Sequence, residues 1–365
     1  MNKKSPDFTY FYENSGIIKF DINLENNLVK SCDFNIGYEH KGLEKIAESS
    51  SIEQFVSYLS SIDDVRGIFY SHAFVNAAES LLEIEEKIPE RAKYIRMLLS
   101  ELARVYCHVR YLKKICLQID ALNFSENLFK IQDKVYGFIK KITLDKKNYI
   151  KIGGVSNNID DGIIDDIYYW VDIELKNKFK SLSKSLASNR LIKNRTVGVG
   201  VIDYAKSLDL SLRGPNLRAS GVDFDIRKKF SYELYDNVKF NIPVGKYGDS
   251  YSRMLIRLEE IRISLSIIRT ISERLNRDDF GSLTTEYDKE KLYNKHIYSS
   301  VEAADGEFGI HLITGDKDNE ISRLKINQPD LISVSATEKV CQKHHLEDLP
   351  VIIYSLGING NDVDK

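Results

Sequence analysis

Long runs of helical apolar spacing constrain this fold more than any other feature of the sequence. After Pro89, a residue suited to the first turn of a helix, apolar side chains recur every three or four positions across residues 95–112. This stripe consists of Ile95, Leu98, Leu102, Val105, Val109 and Leu112. Helical spacing also covers residues 52–82, 125–141, 162–186 and 251–275. Long helices of this kind predict a bundle that forms the core of the protein.

Two segments have the alternating pattern of strands instead. Residues 16–36 alternate apolar and polar side chains around a Glu25-Asn26-Asn27 turn, which predicts a β-hairpin. Residues 309–326 repeat the pattern, with a turn at 316–319. The predicted fold class is therefore α+β, with a central bundle of about four long helices and small antiparallel sheets from the N- and C-terminal regions.

The predicted domain organisation is a single domain over residues 1–365, of which 42% are hydrophobic. Within it we expect a β-hairpin region at 1–50, a helical core at 51–275 and a C-terminal β region at 297–365. The core contains a long segment, 211–248, that is rich in Gly, Pro, Asn and Asp. So long a loop inside a compact domain predicts a functional role.

Charge and composition argue against several function classes. Lys and Arg number 52 against 54 Asp and Glu, so no overall positive charge favours a nucleic-acid partner. No apolar stretch reaches the roughly 18 residues that a membrane-spanning helix needs. The four cysteines, Cys32, Cys107, Cys116 and Cys341, form no CxxC pair, which predicts buried reduced thiols and no zinc or iron-sulfur site in this chain.

Two polar segments are candidates for chemistry. Residues 213–228, RGPNLRASGVDFDIRK, combine glycines with charged residues of alternating sign, a composition suited to a buried polar network that lines a pocket. A solvated loop with surface ion pairs is the alternative. Residues 37–48 place Glu44 near the exit of the first hairpin, where burial would raise its pKa and suit it to proton transfer. An exposed polar turn is the alternative there.

Several segments, in order, resemble one known family. They are IGYEHKGLEK at 36–45, PERAKYIRMLLSELARVYCH at 89–108, RGPNLRASGVDFDIRK at 213–228, YELYDNVKFNIPVGKYGDSYSRMLIRLEEIRISLSIIR at 232–269 and GEFGIHLI at 306–313. The family comprises the large subunits of group 4 membrane-bound nickel-iron hydrogenases and their relative, the D subunit of respiratory complex I. The resemblance extends over nearly the whole chain.

The resemblance also implies that the nickel ligands are missing. The family's two pairs of metal-binding cysteines correspond here to Arg66 with Phe69 and to Asn359 with Asp362. Soft thiolates are a chemical requirement of that centre, and none of these residues supplies one. The arginine of the family's EAPRG segment corresponds to Asp305. No hydrogenase activity and no bound metal are therefore expected.

The quinone ligands of the complex I branch are altered as well. Its histidine and tyrosine ligands correspond to Ser15 and Asp64, whereas His72 fits the motif that follows the first cysteine pair. Glu44 matches a proton-relay glutamate, and Arg218, Asp225 and Arg227 match the family's charged loop. The catalytic candidates are Glu44, His72 and Asp225, and the candidates for a quinone-like cavity are Ser15, Asp64, Arg66, Phe69, Arg218, Arg227 and Asp305.

The resemblance implies that the chain belongs to a complex I-like or energy-converting hydrogenase-related oxidoreductase. Its expected partners are an iron-sulfur small subunit like the B subunit of complex I, which would hold a 4Fe-4S cluster, the membrane subunits and a protein like the C subunit. The expected acceptor is a quinone or a still unknown compound, and electron transfer would be coupled to proton or ion translocation. The chain would lie peripherally on the cytoplasmic side of the membrane. The alternative is a catalytically silent scaffold between the iron-sulfur subunit and the membrane arm.

Overall fold

The computed structural model describes residues 7–11, 16–276, 281–316 and 321–364. Its strands are β1 (Asp7–Phe11), β2 (Ile17–Glu25), β3 (Leu28–Asn35), β4 (Ile150–Lys151), β5 (Gly154–Val155), β6 (His296–Ala303), β7 (Gly306–Thr314) and β8 (Ile321–Asn327). Its α-helices are α1 (Leu43–Ala47), α2 (Ile52–Leu59), α3 (Gly67–Leu82), α4 (Glu90–Gln118), α5 (Leu122–Thr143), α6 (Asp161–Tyr169), α7 (Lys176–Ser188), α8 (Arg190–Thr196), α9 (Tyr204–Asp209), α10 (Gly214–Ala219), α11 (Ile226–Lys229), α12 (Ser250–Leu275), α13 (Pro329–Val340), α14 (Leu349–Leu356) and α15 (Gly360–Val363). Within these ranges, no helix is long and apolar enough to cross a membrane.

The predicted N-terminal hairpin is confirmed. Strands β2 and β3 pair antiparallel, and Asn26 and Asn27 at the turn both have positive φ, as a tight hairpin turn requires. The structure adds a third strand, β1, which pairs with β2 and was not predicted from the sequence. Ile18, Phe20 and Ile22 point from β2 into the core.

The predicted helical bundle is also confirmed. All six residues of the stripe on α4 are buried, because α4 packs against both α5 and α12 in the centre of the protein. The segment 52–82 consists of two helices, α2 and α3, separated by a turn that begins at Ser60. An added Cβ on Gly67 would lie 2.8 Å from the Ser60 backbone, so glycine permits this close approach. Helix α3 therefore begins deep inside the protein.

The C-terminal region differs in part from its prediction. Strands β6, β7 and β8 form an antiparallel sheet, which confirms the strands of the second hairpin, although residues 317–320 of its predicted turn lie outside the described residues. After Asn327 the chain is helical, because Pro329 opens α13 and Pro350 opens α14 at a first-turn position. The β character predicted for residues 297–365 thus holds only through β8. The α+β class is confirmed.

Candidate functional site

Arg66 lies at the entry to α3 and is oriented by the preceding turn. The Asp63 carboxylate accepts hydrogen bonds from the backbone N–H groups of Val65 (2.9 Å) and Arg66 (2.8 Å). These two bonds hold the turn that leads into α3, whose own first turn has no side-chain cap. The Arg66 side chain is only 5% exposed and extends into the core.

Three carboxyl groups surround the Arg66 guanidinium. Nη1 donates to Asp330 (3.1 Å) and to Asp362, and Nη2 donates to Asp305 and to the Tyr111 hydroxyl. Asp305 lies in the β6–β7 turn, whereas Asp330 and Asp362 lie in the first turns of α13 and α15. Segments more than 200 residues apart in sequence therefore converge on one side chain. We call Arg66, Asp305, Asp330 and Asp362 the Arg66 cluster.

Carboxyl groups outnumber guanidinium groups in this cluster. Three buried carboxyl groups face Arg66 and Arg257, whose Nη2 donates to Asp305 over 2.9 Å. Burial raises the pKa of Asp330 well above its ordinary value, and the neighbouring Asp362 and Asp305 raise it further despite the opposing effect of Arg66. Burial likewise raises the pKa of Asp362. Both shifts favour the protonated form of these two carboxyl groups relative to a solvated aspartate.

The Arg66 cluster leaves no room for a nickel-iron centre. The remaining cavity, bordered by Phe69, Tyr70 and Phe308, has a volume of about 10 Å³. That volume suffices for one water molecule at most. A guanidinium surrounded by carboxyl groups is also the wrong donor set for a metal that needs thiolates.

A second group of buried charged residues is connected to Asp305 through Arg257. Arg257 donates to His108 (3.1 Å), and His108 bonds Glu260 over 2.8 Å. Glu260 pairs with Arg218 over 2.7 Å, and Arg218 donates to Glu302 over 2.8 Å. The chain of contacts ends with Asp225, Arg227 and Glu101, since Arg227 bonds Asp225 (2.6 Å) and Glu101 (3.0 Å).

The pKa values along this chain of contacts diverge. Burial lowers the pKa of His108 to about 4, so this imidazole is neutral at pH 7 and bonds Glu260 through one tautomer. Burial alone would raise the pKa of Glu260, but Arg218 and His108 together hold it well below its usual range. The same balance keeps the pKa of Asp225 low, through Arg227 and Arg218. Glu302 differs, because burial and the charge on Asp225 raise its pKa.

An open polar cleft lies beside the Arg66 cluster. Its volume is about 870 Å³, and it is lined by Gly16, Glu39, Asp63, Asp64, Tyr106, Arg110, Lys113, Tyr136 and Asn361, among other residues. Asp63 joins the two sites, since it bonds the Arg66 backbone and lies 3.8 Å from Arg110. Asp64 accepts hydrogen bonds from Lys147 (2.7 Å) and Tyr136 (3.3 Å). The bond from Lys147 lowers the pKa of Asp64.

Comparison with known proteins shows the family of this chain. The model of the family described as respiratory-chain NADH dehydrogenase, 49 kDa subunit, matches residues 121–293 and 280–365. The D subunit of NADH-quinone oxidoreductase from Wolbachia sp. subsp. Brugia malayi is 31% identical over 96% of this chain and 95% of that protein. The proteins of the same name from Ehrlichia chaffeensis (32%) and Bradyrhizobium diazoefficiens (31%) each match 96% of this chain and 94% of the relative.

The chain belongs to the 49 kDa subunit family. This finding confirms the resemblance to the D subunit of complex I. In this family member, the segments expected to carry metal ligands do converge, but as the Arg66 cluster. Asn359 is part of the convergence, because its backbone N–H donates to Asp330 over 2.8 Å.

The loop at 213–228 forms a buried network in this 49 kDa family member. Arg218, Asp225 and Arg227 are all at most 1% exposed. The alternative of a solvated loop with surface ion pairs is therefore wrong for these three residues, although Asp223 in the same segment is exposed. Short helices α10 and α11 rigidify the loop, and the Asp225 side chain caps α11 by accepting from the Arg227 backbone.

His72 belongs to a neighbouring buried group. Its Nε2 lies 2.8 Å from Glu233, and its Nδ1 lies 3.1 Å from the Ser100 hydroxyl. Glu233 also accepts from Arg96 over 3.0 Å. Burial would raise the pKa of Glu233, but Arg96 and His72 lower it to about 2. The Tyr232 ring, 5.6 Å from His72, connects this group to the Glu302 backbone through its hydroxyl.

The remaining candidates lie elsewhere. Glu44 begins α1, is about one-fifth exposed and bonds Lys325 (3.2 Å) and the Ile326 backbone (3.1 Å) of β8. Phe69 packs in the core with its ring 5.8 Å from the Arg104 guanidinium. Ser15 lies outside the described residues, although the adjacent Gly16 lines the cleft.

Sequence analysis missed much of the buried charge. The missed residues are Glu101, His108, Arg257, Glu260, Glu302 and Asp330, together with Arg96 and Glu233 of the His72 group. A signal was present on the two central helices, where the charged residues also recur at helical spacing: Glu101 and His108 on α4, and Arg257 and Glu260 on α12. Since α4 is buried on nearly every side, its polar stripe faces protein and not solvent.

Proposed function

We propose that this chain is part of a membrane-bound, complex I-like oxidoreductase, in which it forms a redox cavity together with an iron-sulfur small subunit. One observation carries the proposal: an open polar cleft lies directly beside the Arg66 cluster, where the family resemblance implies the metal ligands of the hydrogenases. Electrons would leave a 4Fe-4S cluster of the partner one at a time and reach an acceptor in the cleft. The relatives are named as D subunits of NADH-quinone oxidoreductase, and this name supports a quinone-like acceptor.

The chemistry of the cleft suits such an acceptor. Reduction of a quinone to a quinol consumes two electrons and two protons, so the site needs hydrogen-bond donors and a proton supply. Arg110, Tyr106 and Lys113 line the cleft as donors. Asp63 connects the cleft to the Arg66 cluster, where burial raises the pKa of Asp330 and so favours its protonated form.

The residues expected to couple electron transfer to ion translocation would act as follows. Asp225, Arg218 and Arg227 connect through Glu260 and His108 to Arg257 and Asp305, so a change of charge at the Arg66 cluster alters the field at the 213–228 loop. His72 would act from the neighbouring group, and Glu44 from the surface near β8. We propose that this path couples electron transfer to proton or ion translocation.

Partners and location follow from the same proposal. The chain itself would bind no metal, and the cluster would belong to a protein like the B subunit of complex I. Membrane subunits and a protein like the C subunit would hold the chain peripherally on the cytoplasmic side of the membrane.

The experiment is to purify the complex from membranes through a tag on this chain. We expect an iron-sulfur subunit to co-purify, with an electron paramagnetic resonance signal of a 4Fe-4S cluster, and we expect reduction of a short-chain ubiquinone analogue. Asp64→Asn should raise KM for the quinone analogue, because Asp64 lines the cleft. The matched control is Asp166→Asn, which disturbs an exposed ion pair with Lys141 instead. A tagged chain that purifies alone, or a complex that reduces no quinone, would refute the proposal.

A catalytically silent scaffold is the second candidate. The observation in its favour is the small residual volume of about 10 Å³ at the Arg66 cluster, where every carboxyl group bonds a guanidinium. In that case Asp64→Asn would leave turnover per assembled complex unchanged. A turnover defect with intact assembly would exclude the scaffold.

A further inference from the structure

Helix α7 separates from the bundle and leaves a groove against α12. Helix α6 contributes the fully buried Ile164 and Ile167 to the core, but residues 170–175 form a π-helical turn that changes the phase of the helix. After this turn only Phe179 and Leu186 of the thirteen α7 residues are buried. The groove that results has a volume of about 800 Å³.

The groove has an apolar floor. Phe179 and Ala187 line it from α7, and Leu255, Leu258 and Leu265 line it from α12. The α12 side extends from Leu255 to Arg269, which is about 21 Å at 1.5 Å per residue. A channel of this length matches a helical segment of about four turns.

The rims of the groove are basic. Lys176, Lys180 and Lys184 follow one another at intervals of four along α7, and Arg262 and Arg269 lie on the α12 side. Asp172 and Glu259 also line the groove, and they pair with Lys176, Arg262 and Arg269. Lys180 and Lys184 make no ion pair with any described residue. Residues 175–202 as a whole contain seven Lys and Arg and no Asp or Glu.

We propose that this groove docks an amphipathic helix with acidic flanks, supplied by a partner polypeptide of the complex. The inference rests on the proposed function, since it presumes an assembly. Basic side chains at intervals of four present charges about 6 Å apart along the groove. Carboxylates on a helix at the same spacing would meet each of them, with apolar side chains at i, i+3 and i+7 on the floor.

The spacing favours a peptide over a lipid. An anionic phospholipid could place one acyl chain on the floor, but its single phosphate would satisfy the charges at one end only. Lys180 and Lys184 are about a full helical turn apart. A linear array of carboxylates complements both lysines.

The test compares lysine modification in the purified complex and in the isolated full-length chain. In the complex we expect Lys180 and Lys184 to lose reactivity toward an amine-acylating reagent, and a carbodiimide to link them to Asp or Glu of a partner subunit. Lys178 and Lys193, exposed on other faces, serve as internal controls and should keep their reactivity. Equal reactivity of Lys180 and Lys184 in both preparations would overturn the docking site while leaving the proposed function intact.

A charge reversal completes the test. Lys180→Glu together with Lys184→Glu should weaken retention of the cross-linked partner by about tenfold, whereas Lys178→Glu should not. Protection that disappears on removal of phospholipid, with all subunits retained, would assign the groove to a lipid and overturn the proposal. A chain that purifies without partners would overturn both the docking site and the proposed function.

Discussion

Arg257 donates a hydrogen bond of 2.9 Å to Asp305 Oδ1, and Asp305 Oδ2 accepts from Arg66. One carboxylate thus joins Arg66 to the buried charges of the central helices. Asp305 stands where the family resemblance places an arginine, and Arg66 where it places a cysteine. The two side chains form an ion pair, so each neutralises the charge of the other in the core.

We predict that Asp305→Asn destabilises the protein by about 3–5 kcal/mol, because it leaves two buried guanidinium groups without this partner. Urea unfolding followed by circular dichroism measures the change. The control is Glu307→Gln on the neighbouring strand, whose carboxylate is partly exposed and bonds Tyr298 and Arg213 at the surface. The control should cost under about 1 kcal/mol. Equal costs for the two variants would contradict a stabilising role for Asp305.

We predict that Gly214→Ala is destabilising although alanine favours helices. Gly214 has a φ of +53°, and an added Cβ would lie 2.5 Å from the backbone of Asp305 and Gly306. The substitution should cost about 1–3 kcal/mol through strain and displacement of the β6–β7 turn. Gly137→Ala is the control, because Gly137 lies within α5 with nothing within 4 Å of its added Cβ. That variant should gain about 0.5–1 kcal/mol, and thermal unfolding compares the two.

Much of the fold was predictable because helical and alternating periods are strong signals. The stripe on α4 and the hairpin at Asn26 and Asn27 came directly from spacing. Strand β1 was missed because it is short and lies before the recognised hairpin. Helices α13 and α14 were missed because a β region was extended past Pro329, which in fact begins a helix. Local sequence patterns show that a helix or strand exists more reliably than they show where it ends.

The site was predictable only where the family resemblance supplied positions. Arg66, Asp305 and Asp362 converge as the aligned motifs imply. No sequence pattern indicated that Asp330 belongs to the site, because it precedes ordinary helical sequence and its partner Arg66 is 264 residues away. Glu260 and Arg257 would ordinarily be assigned to a solvated face, since charged residues are rarely buried without partners. Only the tertiary structure reveals those partners.

We predict that Asp330 makes stability fall as the pH rises. Burial raises its pKa in the folded state above the unfolded value near 4, so the folded protein binds the extra proton. The contribution of this proton is complete below pH 4 and is lost as the pH rises toward the folded pKa. Asp330→Asn cannot titrate, so the stability difference between wild type and variant should shrink between pH 5 and pH 8, a window that follows from the raised pKa.

Urea unfolding at intervals of pH tests this prediction. The exposed Asp166→Asn serves as the control and should track the wild type at every pH. Below about pH 4 a separate effect enters, because Glu260 and Glu233 have lowered pKa values and their contribution is lost as they become protonated. A wild-type advantage over Asp330→Asn that stays constant from pH 5 to pH 8 would show that Asp330 binds no extra proton in the folded state.

The last prediction separates a coupling role from a scaffold role within one loop. Asp225→Asn removes the carboxylate charge to which Arg227 donates a hydrogen bond of 2.6 Å. Because the pKa of Asp225 is low, the wild-type carboxyl group is ionised near neutral pH, and the variant mimics the protonated form that the wild type does not reach there. Asp223→Asn, two residues away and exposed, is the matched control. If the loop couples charge movement, turnover per assembled complex should fall by about tenfold in Asp225→Asn alone, which corresponds to a barrier higher by about 1.4 kcal/mol. Assembly is quantified by native gel electrophoresis and turnover by quinone reduction. Reduced assembly with normal turnover per assembled complex would instead support the scaffold, because the loop would then stabilise the protein without acting on the reaction.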